Sequence, residues 1–259
     1  SSRVEPVISL PKGWQQTHVA ETGSTNADAL IAARAGDPGQ HWFSAGRQVS
    51  GKGRQGRQWV SEAGNLYATA LLVDPAPVSH LATLPFVAAL ALHAAIANLD
   101  GMARHDLRLK WPNDLLLNGA KVSGILLEVD HLGNGYPAVA IGFGVNLAHH
   151  PDPALYAATD LNSLGIEIEP MAMLVRLAAE FDAVLTAWDR GQKFPAIRHE
   201  WLRHARGIGE PIRVNLPGRS VDGTFADIDM DGCLVLVHKD GRQERISAGD
   251  VFFPQPSGA

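Results

Sequence analysis

The chain has 259 residues, 46% of them hydrophobic, with 27 acidic and 22 basic side chains for a net charge of −5. That is enough apolar material for one sizeable core with a small appended domain, and the acidic balance argues against a generic nucleic-acid binder, which needs a clustered excess of Lys and Arg. Cys233 is the single cysteine, which excludes an internal disulfide and a multi-cysteine zinc site and fits a reducing compartment.

Residues 1–10 show no basic start followed by an apolar run, so no secretion signal is expected. Ser24-Thr25-Asn26 precede apolar Leu30 and Ile31 and a glycine at 36, which predicts a capped helix with the polar triplet at its N-terminus. Strands are expected over 41–45 and 65–73, separated by a loop over 47–61 rich in glycine and arginine. The most apolar window, 81–99, carries Pro85, His93 and Asn98 and sits mid-chain, so a buried helix from about residue 83 is expected and not a membrane span. A strand over 107–111 follows, and Asn118-Gly119 between apolar runs predicts a hairpin whose return strand ends near Val129. Residues 136–147 read as another strand, interrupted by Gly142 and Gly144, where a backbone or ligand can approach closely. Pro151 to Pro153 marks a surface turn. Met171, Leu174, Ala178, Phe181, Leu185 and Trp188 keep the three-and-four spacing of an amphipathic helix packed on the core. Beyond Gly207, short strands at 211–216, 220–228, 232–238 and 242–247 predict a small β-barrel of the Src-homology type. Two domains are therefore expected, 1–206 and 207–259.

Several stretches carry chemistry. Gly51-Lys52-Gly53-Arg54-Gln55-Gly56-Arg57-Gln58-Trp59 alternates glycines with cations, which lets the backbone approach an anion such as phosphate or carboxylate. The spacing fits neither a P-loop nor a dinucleotide fingerprint. A mobile solvated loop and an RNA-binding arginine-glycine segment are the alternatives. Trp59 either covers a flat ligand such as a purine or packs in the interior. Lys121, two residues past the Asn-Gly turn, either points at an anionic partner or is solvated. Lys110-Trp111-Pro112-Asn113-Asp114 places a cation, an amide and a carboxylate at a strand end, although Asp114 alone also suits a turn. The histidines are scattered without zinc-site spacing. Cys233 is expected in a barrel strand with no basic group near it in sequence, a core residue and not a nucleophile.

Taken in order, Gly23-Ser24-Thr25-Asn26, Gln48, the segment 51–59, Lys110-Trp111-Pro112-Asn113-Asp114, Lys121-Val122-Ser123-Gly124-Ile125-Leu126 and Gly142-Phe143-Gly144-Val145-Asn146 resemble the biotin protein ligases. The resemblance implies an α+β fold, with a mixed sheet flanked by helices like that of class II aminoacyl-tRNA synthetases and lipoate ligases, followed by the small barrel. It implies adenylation of biotin by ATP, assisted by Mg2+, and transfer to a lysine of a biotin carboxyl carrier protein domain such as that of acetyl-CoA carboxylase. By position, Ser24, Thr25, Asn26, Gln48, Gly51, Lys52, Gly53, Arg54, Lys121 and Gly124 fall on biotin. Arg54, Arg57, Trp59, Asn113, Asp114 and Asn146 fall on the nucleotide side, with Lys121 and Arg54 catalytic and Asp114 a candidate for the metal. The loop is expected to be mobile without ligand and to order over biotinyl-adenylate with Arg54 as a clamp. Lys52 departs from the arginine common at that place, keeping the charge and losing the bidentate fork. Only 23 residues precede Ser24, too few for the winged helix of bifunctional relatives, so no DNA binding and no repressor role are expected, and with the apolar window read as a buried helix no membrane association is expected either. A cytoplasmic enzyme, with a homodimer through a sheet edge as an option, completes the expectation. The nearest alternatives are a lipoate or octanoyl ligase or transferase of the same fold and a module that retains biotinyl-adenylate without transferring it.

Overall fold

A computed structural model describes residues 9–152 and 156–254. Pro153 of the expected turn, and most of the start read for a secretion signal, lie outside those residues.

Seven strands form a mixed sheet in the order β1-β2-β3-β7-β6-β5-β4. They are β1 (Gln15–Thr22), β2 (His41–Gln48), β3 (Leu66–Val73), β4 (Leu107–Lys110), β5 (Asp114–Leu117), β6 (Ala120–His131) and β7 (Pro137–Val145). The β1–β2 pair is parallel and the other pairs are antiparallel. Because side chains alternate across a strand, the sheet has two distinct faces. Trp42, Ala68, Ala70, Leu72, Ile125, Val139, Ile141, Phe143 and Val145 point to the main core. That core is completed by α2 (Leu84–Ala97), α3 (Pro170–Trp188) and α4 (Phe194–His204). The other face holds Phe43, Leu71, Ala138 and Ala140 against Ala29, Leu30 and Ala33 of α1 (Thr25–Arg34). The small residues of β7 on this face let α1 sit close, and farther along the same strand they become Gly142 and Gly144.

Ser24 caps α1 by accepting from the Ala27 N–H at 3.3 Å, and Gly36 follows at φ +99°, so the cap and the stop fall where the sequence places them. The apolar window divides into a 3-10 turn, Val78–Thr83, and α2, which begins at Leu84 with Pro85 in its first turn, where a missing N–H costs nothing. It is long and apolar enough to cross a membrane, but its residues from Leu84 to Ile96 are almost all buried between the sheet and α3 and α4. Five further strands form an antiparallel sheet in the order β11-β10-β9-β8-β12, the small Src-homology-like unit. They are β8 (Pro211–Leu216), β9 (Arg219–Ile228), β10 (Leu234–Val237), β11 (Gln243–Ile246) and β12 (Asp250–Phe252). Cys233 lies in the turn before β10, not in a strand, with Sγ 3.8 Å from Arg245 Nη2. Burial and nearby Asp229 push its thiol up. Folding therefore brings a cation beside Cys233 that its sequence neighbours do not reveal.

His93 of α2 is buried against the ring of His204, 4.1 Å away, and its Nε2–H donates to the Leu107 carbonyl at 3.0 Å. Desolvation, with smaller repulsion from His204 and Arg108, pushes it down to about 4. An unfolded histidine titrates near 6.5, so between about pH 6.5 and 4 the unfolded chain takes up a proton that the folded chain refuses. Stability from this group therefore falls as pH drops through that window, by about 3 kcal/mol in total, and no further below it. Urea unfolding at several pH values should show a steeper acid loss for the wild type than for His93→Gln; parallel curves would count against this account.

Candidate active site

The face that carries α1 opens beyond it into a cavity of about 340 Å³. Its floor is a consequence of register. Asp114 of β5 pairs with Gly124 of β6, and Gly124 pairs with Gly144 of β7. Two residues along, Leu126 of β6 and Thr69 of β3 flank Gly142. The glycines are needed for space. A Cβ on Gly142 would lie 2.5 Å from Asn26 Oδ1, and one on Gly144 would lie 2.7 Å from the Trp59 indole.

The closed end of the cavity is polar and built by the N-terminus of α1. Thr25 and Asn26 are buried there. Asn26 Nδ2 donates to the Leu126 carbonyl at 3.2 Å and to Glu128 Oε1 at 2.9 Å, while its Oδ1 accepts from Thr69 Oγ1 at 2.6 Å. The Thr25 N–H donates to Gln48 Oε1 at 2.9 Å. These groups form a rigid set of donors and acceptors at the end of an otherwise apolar slot, the usual construction of a pocket that orients a small ligand.

The open end is cationic. The segment 49–61 folds back on itself, with Lys52 bridged to Gln58 and a short 3-10 turn at Arg54–Gly56. Arg54 Nη2 and Arg57 Nη2 donate to the two oxygens of Asp250 in β12, each at 2.7 Å. Arg54 Nη1 also donates to the Gly249 carbonyl at 3.0 Å and Arg57 Nη1 to the Tyr156 hydroxyl oxygen at 2.7 Å. The hydrogen bond to Asp250, above all, raises Arg57 above the ordinary guanidinium value. Lys121 Nζ sits 3.1 Å from Asp114 Oδ1 and 5.4 Å from the Trp59 ring. Lys110, buried behind, has its ammonium 4.5 Å from the Tyr156 ring, and desolvation pulls it down. Burial, reinforced by the Asp250 charge, pushes the Tyr156 phenol up.

Of the residues singled out in the sequence, Ser24, Thr25, Asn26, Gln48, Lys52, Gly53, Arg54, Arg57, Trp59, Asp114, Lys121, Gly124 and Asn146 all line this one cavity. Gly51 and Asn113 stand behind the lining. Gly51 is buried against Ser61 at the base of the basic segment, and Asn113 holds the β5–β6 hairpin by donating from Nδ2 to the Ile125 carbonyl at 3.1 Å. Four residues enter that the sequence does not announce. Asp250 and Tyr156 anchor the arginines, Glu128 orients Asn26, and Asp152 lines the mouth. Only Glu128 carried a readable signal, since it lies on the same strand face as Gly124 and Leu126. Among the described residues, no group of three or more His, Cys, Asp or Glu side chains is placed to hold a metal by itself.

The Asp250 contacts give a first test. Arg54 and Arg57 would repel each other in an unliganded segment, and the barrel supplies the anion that holds them. Asp250→Asn should therefore speed tryptic cleavage after Lys52, Arg54 and Arg57 in the free protein; unchanged cleavage would show that the barrel does not restrain the segment.

Residues 38–146 match the biotin/lipoate A/B protein ligase family, and residues 207–253 match the biotin protein ligase C-terminal domain. The chain is 43% identical over 241 residues to the biotin–[acetyl-CoA-carboxylase] ligase of Paracoccus denitrificans, covering 91% of this chain and 99% of that one. It is 35% identical to the Mycobacterium tuberculosis protein of the same description, over 95% of this chain and 92% of that one. The biotin protein ligase of Aquifex aeolicus, solved in complex with biotin and ATP, superposes with a TM-score of 0.75 at 24% identity, over 92% of this chain and 97% of that one, a likeness of fold. With a small-ligand slot at one end, a cationic mouth at the other and both of the family's segments present, the chain belongs to the biotin protein ligases.

Proposed function

We propose that this protein adenylates biotin with ATP and transfers the biotinyl group from biotinyl-5'-AMP to a lysine of a biotin carboxyl carrier domain, in the cytoplasm. The observation that carries the reading is the polarity of the cavity, in which neutral hydrogen-bonding groups from α1 lie at the closed end and Lys52, Arg54, Arg57 and Lys121 at the open end. A ureido head fits the first and a carboxylate beside phosphates fits the second. The roles proposed for its residues are those that the resemblance implies, and that layout supports them. Ser24, Thr25, Asn26 and Gln48 hold the head, and the floor at Gly124 and Gly144 leaves room for the Trp59 indole. Lys121, Lys52, Arg54 and Arg57 surround the reacting carboxylate and phosphates, and Trp59 and Asn146 border the nucleotide.

In the first step the biotin carboxylate attacks the α-phosphorus of ATP and pyrophosphate leaves. Two anions must meet, and fixed cations lower that repulsion where charge builds on the phosphoryl oxygens. The phosphates must share Arg54 and Arg57 with Asp250 or take them from it. In the second step the carrier lysine amine attacks the mixed anhydride and AMP leaves, with no covalent enzyme intermediate. Magnesium commonly arrives on a triphosphate and needs only one or two protein carboxylates. The cavity offers Asp114 and Asp152, which fits that mode and not a site built wholly of protein ligands; the ion would neutralise phosphate charge there. A homodimer through a sheet edge would use β1 or β4, the outermost strands. The single cysteine fits the reducing cytoplasm.

Incubation with biotin, ATP, magnesium and a purified carrier domain should yield carrier retained by streptavidin, dependent on all three small components. Carrier left unmodified under those conditions, with adenylate formed and held, would favour the retention module.

A further inference from the structure

Ser61 stands outside the cavity, yet it closes a polar chain that joins the head pocket to the basic segment. The Thr25 N–H can only donate, so the Gln48 atom facing it at 2.9 Å is the amide oxygen, and Thr25 Oγ1 donates to the same oxygen at 3.2 Å. The amide nitrogen therefore turns the other way and donates to Ser61 Oγ at 3.1 Å. Ser61 in turn donates its single hydroxyl hydrogen to the Trp59 carbonyl at 3.0 Å. The knot is dense. Ser61 is 6% exposed, and a Cβ on Gly51 would lie 2.5 Å from Ser61 Oγ, 2.8 Å from the Trp59 carbonyl and 3.1 Å from Gln48 Nε2. The Trp59 N–H donates to the Gly51 carbonyl at 2.9 Å, and the Gln48 N–H to the Ser61 carbonyl at 3.2 Å. Both stems of the basic segment thus end on one buried node with Ser61 at its centre.

Gln48 Nε2 carries two hydrogens, and Ser61 takes one; the other is left for an acceptor in the cavity that Gln48 lines. We propose that Ser61 is a positioning residue for adenylation. It holds the Gln48 amide so that its second N–H faces the substrate head, and through the same hydroxyl it holds the Trp59 end of the basic segment. Filling the head pocket and closing the segment on nucleotide then favour one another. The proposal rests on the biotin and ATP reading above, and because such coupling is reciprocal, nucleotide tightens biotin by the same factor as biotin tightens nucleotide.

The test measures biotin affinity by calorimetry with and without saturating α,β-methylene-ATP, for the wild type, Ser61→Ala, Gln48→Ala, the double variant and Ser61→Thr. Leaving a buried amide donor unpaired should raise the biotin Kd of Ser61→Ala about tenfold, and the tightening by nucleotide should shrink toward onefold. Ser61→Thr, which keeps the hydroxyl, should restore most of both. In the Gln48→Ala background, Ser61→Ala should add nothing to the biotin Kd, a result that a merely structural role would not give. Should Ser61→Ala fail to fold, Ser61→Cys carries the same expectations. Wild-type affinity and coupling in the serine variant, or effects of the two alanines that add in full, would overturn the proposal alone. A wild-type protein that binds no biotin would overturn the functional reading and this proposal together.

Discussion

Lys121→Ala is expected to lower biotin-dependent ATP–pyrophosphate exchange about a hundredfold or more, a far larger effect than its cost to thermal stability. The strand survives because the Lys121 backbone is held independently of its side chain, its N–H donating to the Ala157 carbonyl and its carbonyl accepting from Thr159 at 2.8 and 2.9 Å. The chemistry suffers twice. The cation that would meet the biotin carboxylate is gone, and Asp114, now paired with Lys121 at 3.1 Å, is left as a buried carboxylate facing a second carboxylate and a triphosphate. Breaking one partner out of a buried pair is more damaging than removing both. Exchange at the wild-type rate in Lys121→Ala, with the fold intact, would remove Lys121 from the mechanism.

Gly142→Ala is the second large effect, a loss of biotin affinity on the order of a hundredfold from one methyl group. The added Cβ would sit 2.5 Å from Asn26 Oδ1, and Asn26 cannot step aside, since its amide is pinned by Leu126, Glu128 and Thr69 together. Moving it breaks at least two buried hydrogen bonds at roughly 1 to 3 kcal/mol each and misplaces the head pocket. Gly144 is a useful contrast. A Cβ there meets Trp59, which is only half-buried and can swing outward, so Gly144→Ala should disturb nucleotide closure more than biotin binding. Calorimetry with biotin alone separates the two; unchanged affinity in Gly142→Ala would show that Asn26 does not shape the head site.

Where the chain signals its structure locally, the sequence was enough. Ser24 caps α1, Asn118-Gly119 turns the β5–β6 hairpin, and the spacing from Met171 to Trp188 marks α3. For the candidate site the residues alone left alternatives open, and it was the resemblance, carried by short contiguous stretches, that joined the helix start, the basic segment and two glycine-bearing strands, which line one cavity. β1 was not legible, since Gln15, Thr17, Val19 and Glu21 are exposed and Gln16, His18 and Thr22 are only half-buried polar residues, as suits a strand paired on one side only among the described residues. α4 does carry the spacing Phe194, Ile197, Trp201, but its charged residues and neighbouring loops mask it. Asp250 could not be found locally, because Gly249-Asp250 looks like any barrel turn and its partners lie 193 and 196 residues away. That long-range pair also changes the picture of the basic segment. Its composition suggests that only a ligand could offset the cost of ordering it, whereas the barrel already provides an anion.

Adenylation of biotin in this cavity is decided by ATP–pyrophosphate exchange measured with biotin and, in parallel, with lipoate. Exchange that depends on biotin, is abolished in Lys121→Ala and is absent with lipoate is the predicted result; exchange driven by lipoate but not by biotin would contradict it.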